Sequence, residues 1–128
     1  MPRRFEYTVT VVGDGPVQCE EDWTPEHLVL AGLGRCTLKS LAFHAERAGV
    51  RPTGAAAAQG VVEKRPNDGR YAFVEVECGL DVALEPLPEG TRLRELLDLA
   101  ERDCFVGASL TAKPRYEWRV NGEVVARA

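Results

Sequence analysis

Residues 24–49 read TPEHLVLAGLGRCTLKSLAFHAERAG, and the rest of the chain can be arranged around them. Thr24 carries the hydroxyl of an N-cap, and Pro25 suits the first helical position, where no N–H is needed. Glu26 stands where the helix dipole favours a negative charge. Gly49 supplies the stop. The spacing predicts a helix running to Ala48, about 24 residues and ~36 Å long. It holds Leu30, Leu33, Leu38, Leu41, Ala42 and Ala45, and charges are sparse before Glu46 and Arg47. A helix apolar on so many sides reads as a central one, covered on several faces.

Before this helix, Arg4 to Val12 alternates, with Phe5, Tyr7, Val9 and Val11 on one side and Glu6, Thr8 and Thr10 on the other, as in a half-buried strand. Gly13-Asp14-Gly15 turns the chain, and Pro16 to Glu21 is expected to return as a second strand. After the helix, Gly54–Lys64 and Tyr71–Leu84 read as strands around the turn residues Arg65 to Arg70. Leu93, Leu96, Leu97 and Ala100 mark a second helix over Thr91–Arg102. Asp103 is expected to cap a short helix from Cys104 to Leu110. Tyr116, Trp118 and Val120 alternate in a final strand, and Asn121-Gly122 is a two-residue hairpin signal. The order predicts an α+β fold with antiparallel sheet around a long central helix.

At 128 residues the chain fits a single domain spanning 1–128. A hydrophobic fraction of 45% suffices for a core. A net charge of −4 argues against a nucleic-acid binder. No apolar run approaches the ~18–20 residues of a membrane helix, and the N-terminus lacks the apolar stretch of a signal peptide. The expectation is a soluble cytoplasmic protein without a membrane partner.

Four cysteines remain to be explained: Cys19, Cys36, Cys78 and Cys104. No C-x-x-C pair occurs, and four thiols are too few for a disulfide scaffold. Cys78 shares its face with valines and reads as core; Cys19, between Gln18 and Glu20, also reads as structural. Cys104 is placed at a helix start, where free N–H groups favour a thiolate. Cys36, taken alone, could equally be a small buried hydrophobe. His27 and His44 have no ligand-spaced partners, so no metal site is expected, and no cofactor. His27 and His44 each read as a satisfied surface or core histidine; the alternatives are a simply exposed His27 and a His44 that reaches a second subunit.

Two motifs then act together. Pro25-Glu26-x9-Cys36 on the entering helix is followed, 68 residues after Cys36, by Cys104-x-Val106-x-x-Ser109-Leu110. This pattern resembles the osmotically inducible protein C / organic hydroperoxide resistance (OsmC/Ohr) family, and the match spans nearly the whole chain. The resemblance implies an intertwined homodimer with active sites at the subunit interface. It implies reduction of organic hydroperoxides, with Cys36 attacking the peroxide and Cys104 resolving the sulfenic acid as a disulfide that an external dithiol reduces. It makes Glu26 the acidic partner that positions a thiolate-stabilising arginine. The alternative is a weakly active or non-catalytic relative that binds a small apolar molecule.

The arginine is where the chain departs from the family. Its two usual places are occupied by Gly13-Asp14-Gly15 and by Pro16, ten residues before Glu26. Arg3 and Arg4 lie at the wrong end of the first strand. Arg35 points ~100° away from Cys36, and Arg47 lies about 16 Å further along the helix. Phe105 replaces the family's proline after the second cysteine. Cys36 is therefore expected to be largely protonated near neutral pH, and peroxidase activity to be weak. Glu26 and Cys36 lie ten residues apart, about 15 Å along a straight helix, so Glu26 is expected to act across a dimer interface or a helix break.

Overall fold

A computed structural model describes residues 3–126; of the expected 1–128 domain, residues 1, 2, 127 and 128 fall outside this range. The elements run β1 (Phe5–Val12), α1 (Pro25–Arg47), β2 (Arg51–Lys64), β3 (Tyr71–Glu85), α2 (Gly90–Arg102), α3 (Phe105–Ser109), β4 (Arg115–Val120) and β5 (Glu123–Val124). All five strands join one sheet in chain order, β1-β2-β3-β4-β5. The expected α+β class holds. The sheet is mixed, however, because β3 and β4 pair in parallel while the other neighbours are antiparallel. The α2–α3 connection makes this possible: packed against α1, it returns the chain so that β4 runs the same way as β3.

Helix α1 begins as its sequence dictates. The Thr24 hydroxyl accepts from the His27 N–H at 3.4 Å, and His27 Nδ1 accepts from the Thr24 N–H at 2.9 Å. This is a capping box in which a histidine replaces the usual Glu or Gln. His27 is thus half-buried and engaged, edge-on to Tyr7 with ring centroids 5.1 Å apart, rather than simply exposed.

Small residues set how closely α1 approaches the sheet. Within the run Ala55–Ala58, Ala56 and Ala58 face the helix and are fully buried. A Cβ on Gly34 would stand 3.0 Å from Val11 and 3.1 Å from Ala56. Leu30, Leu33, Leu38 and Leu41 fill the interface against Val9, Val11, Val76, Leu80 and Val82. Among the described residues the opposite stripe of α1 is uncovered: Leu28, Val29 and Phe43 are exposed.

Residues 13–24 contain no strand, contrary to the return strand expected over Pro16–Glu21. Gly13 bonds Gly54 at 2.9 Å, and the chain then leaves the sheet. Val17 and Cys19 are exposed, so pairing there would bury too little to offset the ordering of the backbone. Asn121 (φ 50°) and Gly122 (φ 85°) form the expected tight turn into β5. The Asn121 side chain ties that turn to β3, accepting from the Leu84 N–H at 2.8 Å and donating to the Leu84 carbonyl.

Candidate active site

Helix α1 and the α2–α3 junction bring together residues far apart in sequence. Cys36 is half-buried near the middle of α1. Cys104 is fully buried just before α3. Cys104 lies close enough to Cys36 to influence its titration, and all four cysteines are free. Burial pushes the Cys36 thiol above its ordinary pKa and the neighbouring Cys104 adds to this, while the N–H groups of Val106 and Phe105 at the start of α3 pull the other way.

Cys104, not Asp103, is the N-cap of α3: its sulfur accepts from the Gly107 N–H at 3.5 Å. Asp103 ends α2, with its backbone N–H on Leu99, and that geometry turns its carboxylate toward α1. There it meets His44 Nε2 at 2.7 Å and is held also by Arg102. Arg102 first, and His44 with it, keeps the Asp103 carboxyl below the usual carboxylate range. His44 is therefore satisfied within its own chain.

Behind Cys104 lies a buried polar cluster. Thr37, next to Cys36 on α1, places its hydroxyl 3.3 Å from the Cys104 sulfur and donates to the Leu33 carbonyl at 2.9 Å. Tyr116 on β4 closes the group, and a Cβ on Gly107 would come within 2.5 Å of its hydroxyl. Burial pushes the Tyr116 phenol up, with Cys104 adding to it. Cys78 pairs with Tyr116 across the β3–β4 ladder. Burial pushes its thiol up to about 12, which fits the expected core role.

In front of Cys36 opens a mostly apolar cleft of about 380 Å³, lined by Cys36, Lys39, Ser40, Phe43, His44, Asp103 and Phe105. Phe105 is 79% exposed at its rim. The Ser40 hydroxyl oxygen is buried without a hydrogen-bond partner among the described residues. Lys39, Phe43 and Ser40 escaped the sequence reading. Their signal was present: they follow Cys36 by three, seven and four residues, which are spacings that share a helix face.

Glu26 is not brought to Cys36. It is half-buried in the first turn of an unbroken α1, about 15 Å away along the axis. The nearby arginines are placed elsewhere too. Arg4 pairs with Glu63 at 2.5 Å, and Arg47 lies over the Phe43 ring at 5.4 Å. Arg35 has its Nε buried without a hydrogen-bond partner among the described residues. No cluster among the described residues could hold a metal ion, and no helix is long and apolar enough to cross a membrane.

A long helix on one face of such a sheet, with a short helix abutting it before the last long strand, is the OsmC-like fold. Three solved structures share it. An OsmC-like protein of unknown function from Vibrio cholerae superposes with a TM-score of 0.62 at 20% identity, over 74% of this chain and 63% of its own. An OsmC-like protein from Mycoplasma pneumoniae gives 0.60 at 18% identity, over 80% and 73%. An OsmC-like hydroperoxide resistance protein from Jannaschia sp. CCS1 gives 0.60 at 15% identity, over 95% and 97%. The chain thus spans less than two thirds of the Vibrio protein's length. No curated protein sequence matches it. The model of the OsmC-like protein family matches residues 6–119, and the chain belongs to that family.

Proposed function

We propose that this protein is a two-cysteine thiol peroxidase that reduces organic hydroperoxides. One observation carries the reading: thiols 68 residues apart in sequence are brought together, Cys36 lining an apolar cleft and Cys104 buried close behind it. The Cys36 thiolate attacks one peroxide oxygen; an S–O bond forms, the O–O bond breaks, and the alkoxide leaves as the alcohol after taking a proton. Cys104 then attacks the Cys36 sulfenic acid; an S–S bond forms and the hydroxyl leaves as water. An external dithiol of the cytoplasm restores both thiols by exchange.

Within this reading the cleft residues divide the work. Phe43 and Phe105 receive the apolar part of the substrate. Lys39, one helical turn from Cys36, is the cation best placed to favour the thiolate in place of the family's arginine. The exposed stripe of Leu28, Val29 and Phe43 on α1 supports a homodimer, across which Glu26 acts on the partner's site.

The raised pKa of Cys36 favours a second reading, in which the cleft binds a small apolar molecule and the thiols react slowly. Consumption of tert-butyl hydroperoxide and hydrogen peroxide by wild type and Cys36→Ser, with dithiothreitol as reductant, separates the two. The peroxidase reading expects Cys36-dependent turnover that favours the organic substrate. Equal, negligible rates for both proteins overturn it.

A further inference from the structure

The proposed chemistry uses Cys104 as a nucleophile at a place no water reaches. Its side chain is fully buried, and so is Thr37 beside it. A thiolate formed there without donors would be heavily penalised. Two donors are on hand: the Gly107 N–H at 3.5 Å and the Thr37 hydroxyl at 3.3 Å. At rest the Thr37 proton goes to the Leu33 carbonyl at 2.9 Å, so its oxygen is free to accept from the Cys104 thiol. A hydroxyl turns about its C–O bond, so the same oxygen can swing its proton from Leu33 to a Cys104 thiolate. Thr37 follows Cys36 directly and points about 100° away round α1, so the two residues flank Cys104.

We propose that Thr37 is a positioning residue for Cys104: its hydroxyl accepts from the thiol at rest and donates to the thiolate as it attacks Cys36. With its proton turned to Thr37 and one lone pair on the Gly107 N–H, the Cys104 sulfur keeps its other lone pair free for Cys36. The assignment rests on the two-cysteine reading above, yet it can be tested without any peroxide. The merely structural reading is that Thr37 is a helical threonine bonded to the carbonyl four residues back, a common arrangement.

In a Cys19→Ser background, which removes the exposed thiol, the aromatic disulfide dithiobis(nitrobenzoate) converts Cys36 to a mixed disulfide and releases one thionitrobenzoate. Cys104 then attacks the Cys36 sulfur; the Cys36–Cys104 bond forms, and the second thionitrobenzoate leaves with the proton Cys104 gives up. The second release, followed by absorbance, reads the nucleophilicity of Cys104 alone. Thr37→Val should slow it by at least about tenfold and move its pH profile upward, while first-step labelling stays unchanged. Thr37→Ser, which keeps the hydroxyl, should remain within about twofold of the parent. If Thr37→Val does not fold, Thr37→Ala carries the same expectation. A second release as fast in the hydroxyl-free variant as in the parent overturns the assignment, and so does a Thr37→Ser variant as slow as Thr37→Val. A wild type that forms the disulfide here but consumes no hydroperoxide refutes the peroxidase reading and leaves this one standing.

Discussion

Gly107→Ala sets two opposing terms against each other at the site. Gly107 lies in α3 with ordinary helical geometry, so alanine should stabilise the helix by about 1 kcal/mol through backbone entropy alone. The added methyl, however, would stand 2.5 Å from the Tyr116 hydroxyl, 3.4 Å from the Cys104 sulfur and 3.5 Å from a Leu33 methyl. The last two are ordinary contacts, but the first is about 1 Å too short. Tyr116 is a rigid ring anchored on β4, so relief requires moving the strand or the helix rather than a flexible chain end. Overpacking of this kind costs about 1–3 kcal/mol, which outweighs the helix gain. The net expectation is a loss of about 1 kcal/mol, seen as a fall in melting temperature of about 3–5 °C. Urea midpoints and thermal unfolding measure it. The same substitution in a Tyr116→Phe background, where the clashing oxygen is gone, should cost less or turn stabilising, so a double-mutant cycle isolates the contact. If Gly107→Ala alone is more stable than wild type, the close approach of Tyr116 to α3 is refuted.

Further expectations concern charge and pH. Alkylation of Cys36 by iodoacetamide should accelerate steadily across about pH 7 to 9, because burial raises the thiol pKa and the thiolate is the reacting form; an apparent pKa below about 6.5 would show that an additional cation reaches it. Lys39→Met should slow neutral-pH alkylation by about twofold, the worth of a partly screened charge one turn away on a helix, and no change would remove Lys39 from the site. Asp103→Asn should lower stability near neutral pH. The Asp103 carboxyl titrates below its unfolded value, so its contribution is complete above about pH 4 and disappears as pH falls through the folded pKa. Wild-type and variant melting temperatures should therefore converge in acid; a constant gap would refute the contacts with Arg102 and His44 as its source.

What could be read from sequence followed from local signals. Thr24-Pro25 and Gly49 bounded α1, alternation marked β1 and β4, and Asn121-Gly122 placed the last turn. The local signals failed where a tertiary partner decided the outcome. Val17 and Cys19 alternate like strand residues, but no described residue covers them. Asp103 has cap chemistry, yet Arg102 and His44 claim its carboxylate, and Cys104 caps in its place. The parallel β3–β4 pairing depends on how the intervening helices fold back, which no residue pattern announces. At the site, the two cysteines were found by spacing and resemblance. Lys39 and Phe43 were legible as helix-face neighbours of Cys36. Thr37 and Tyr116 were not, because they meet Cys104 through three different elements.

The central claim is that Cys36 and Cys104 form one redox unit. It is tested most directly by treating the fully reduced protein with a single equivalent of cumene hydroperoxide and mapping its peptides by mass spectrometry under non-reducing conditions. The account predicts a Cys36–Cys104 disulfide in wild type and a dimedone-trapped sulfenic acid at Cys36 in Cys104→Ser, with Cys19 and Cys78 still reduced. A disulfide joining Cys19 to Cys78, or oxidation confined to the exposed Cys19 while Cys36 stays a thiol, would contradict it.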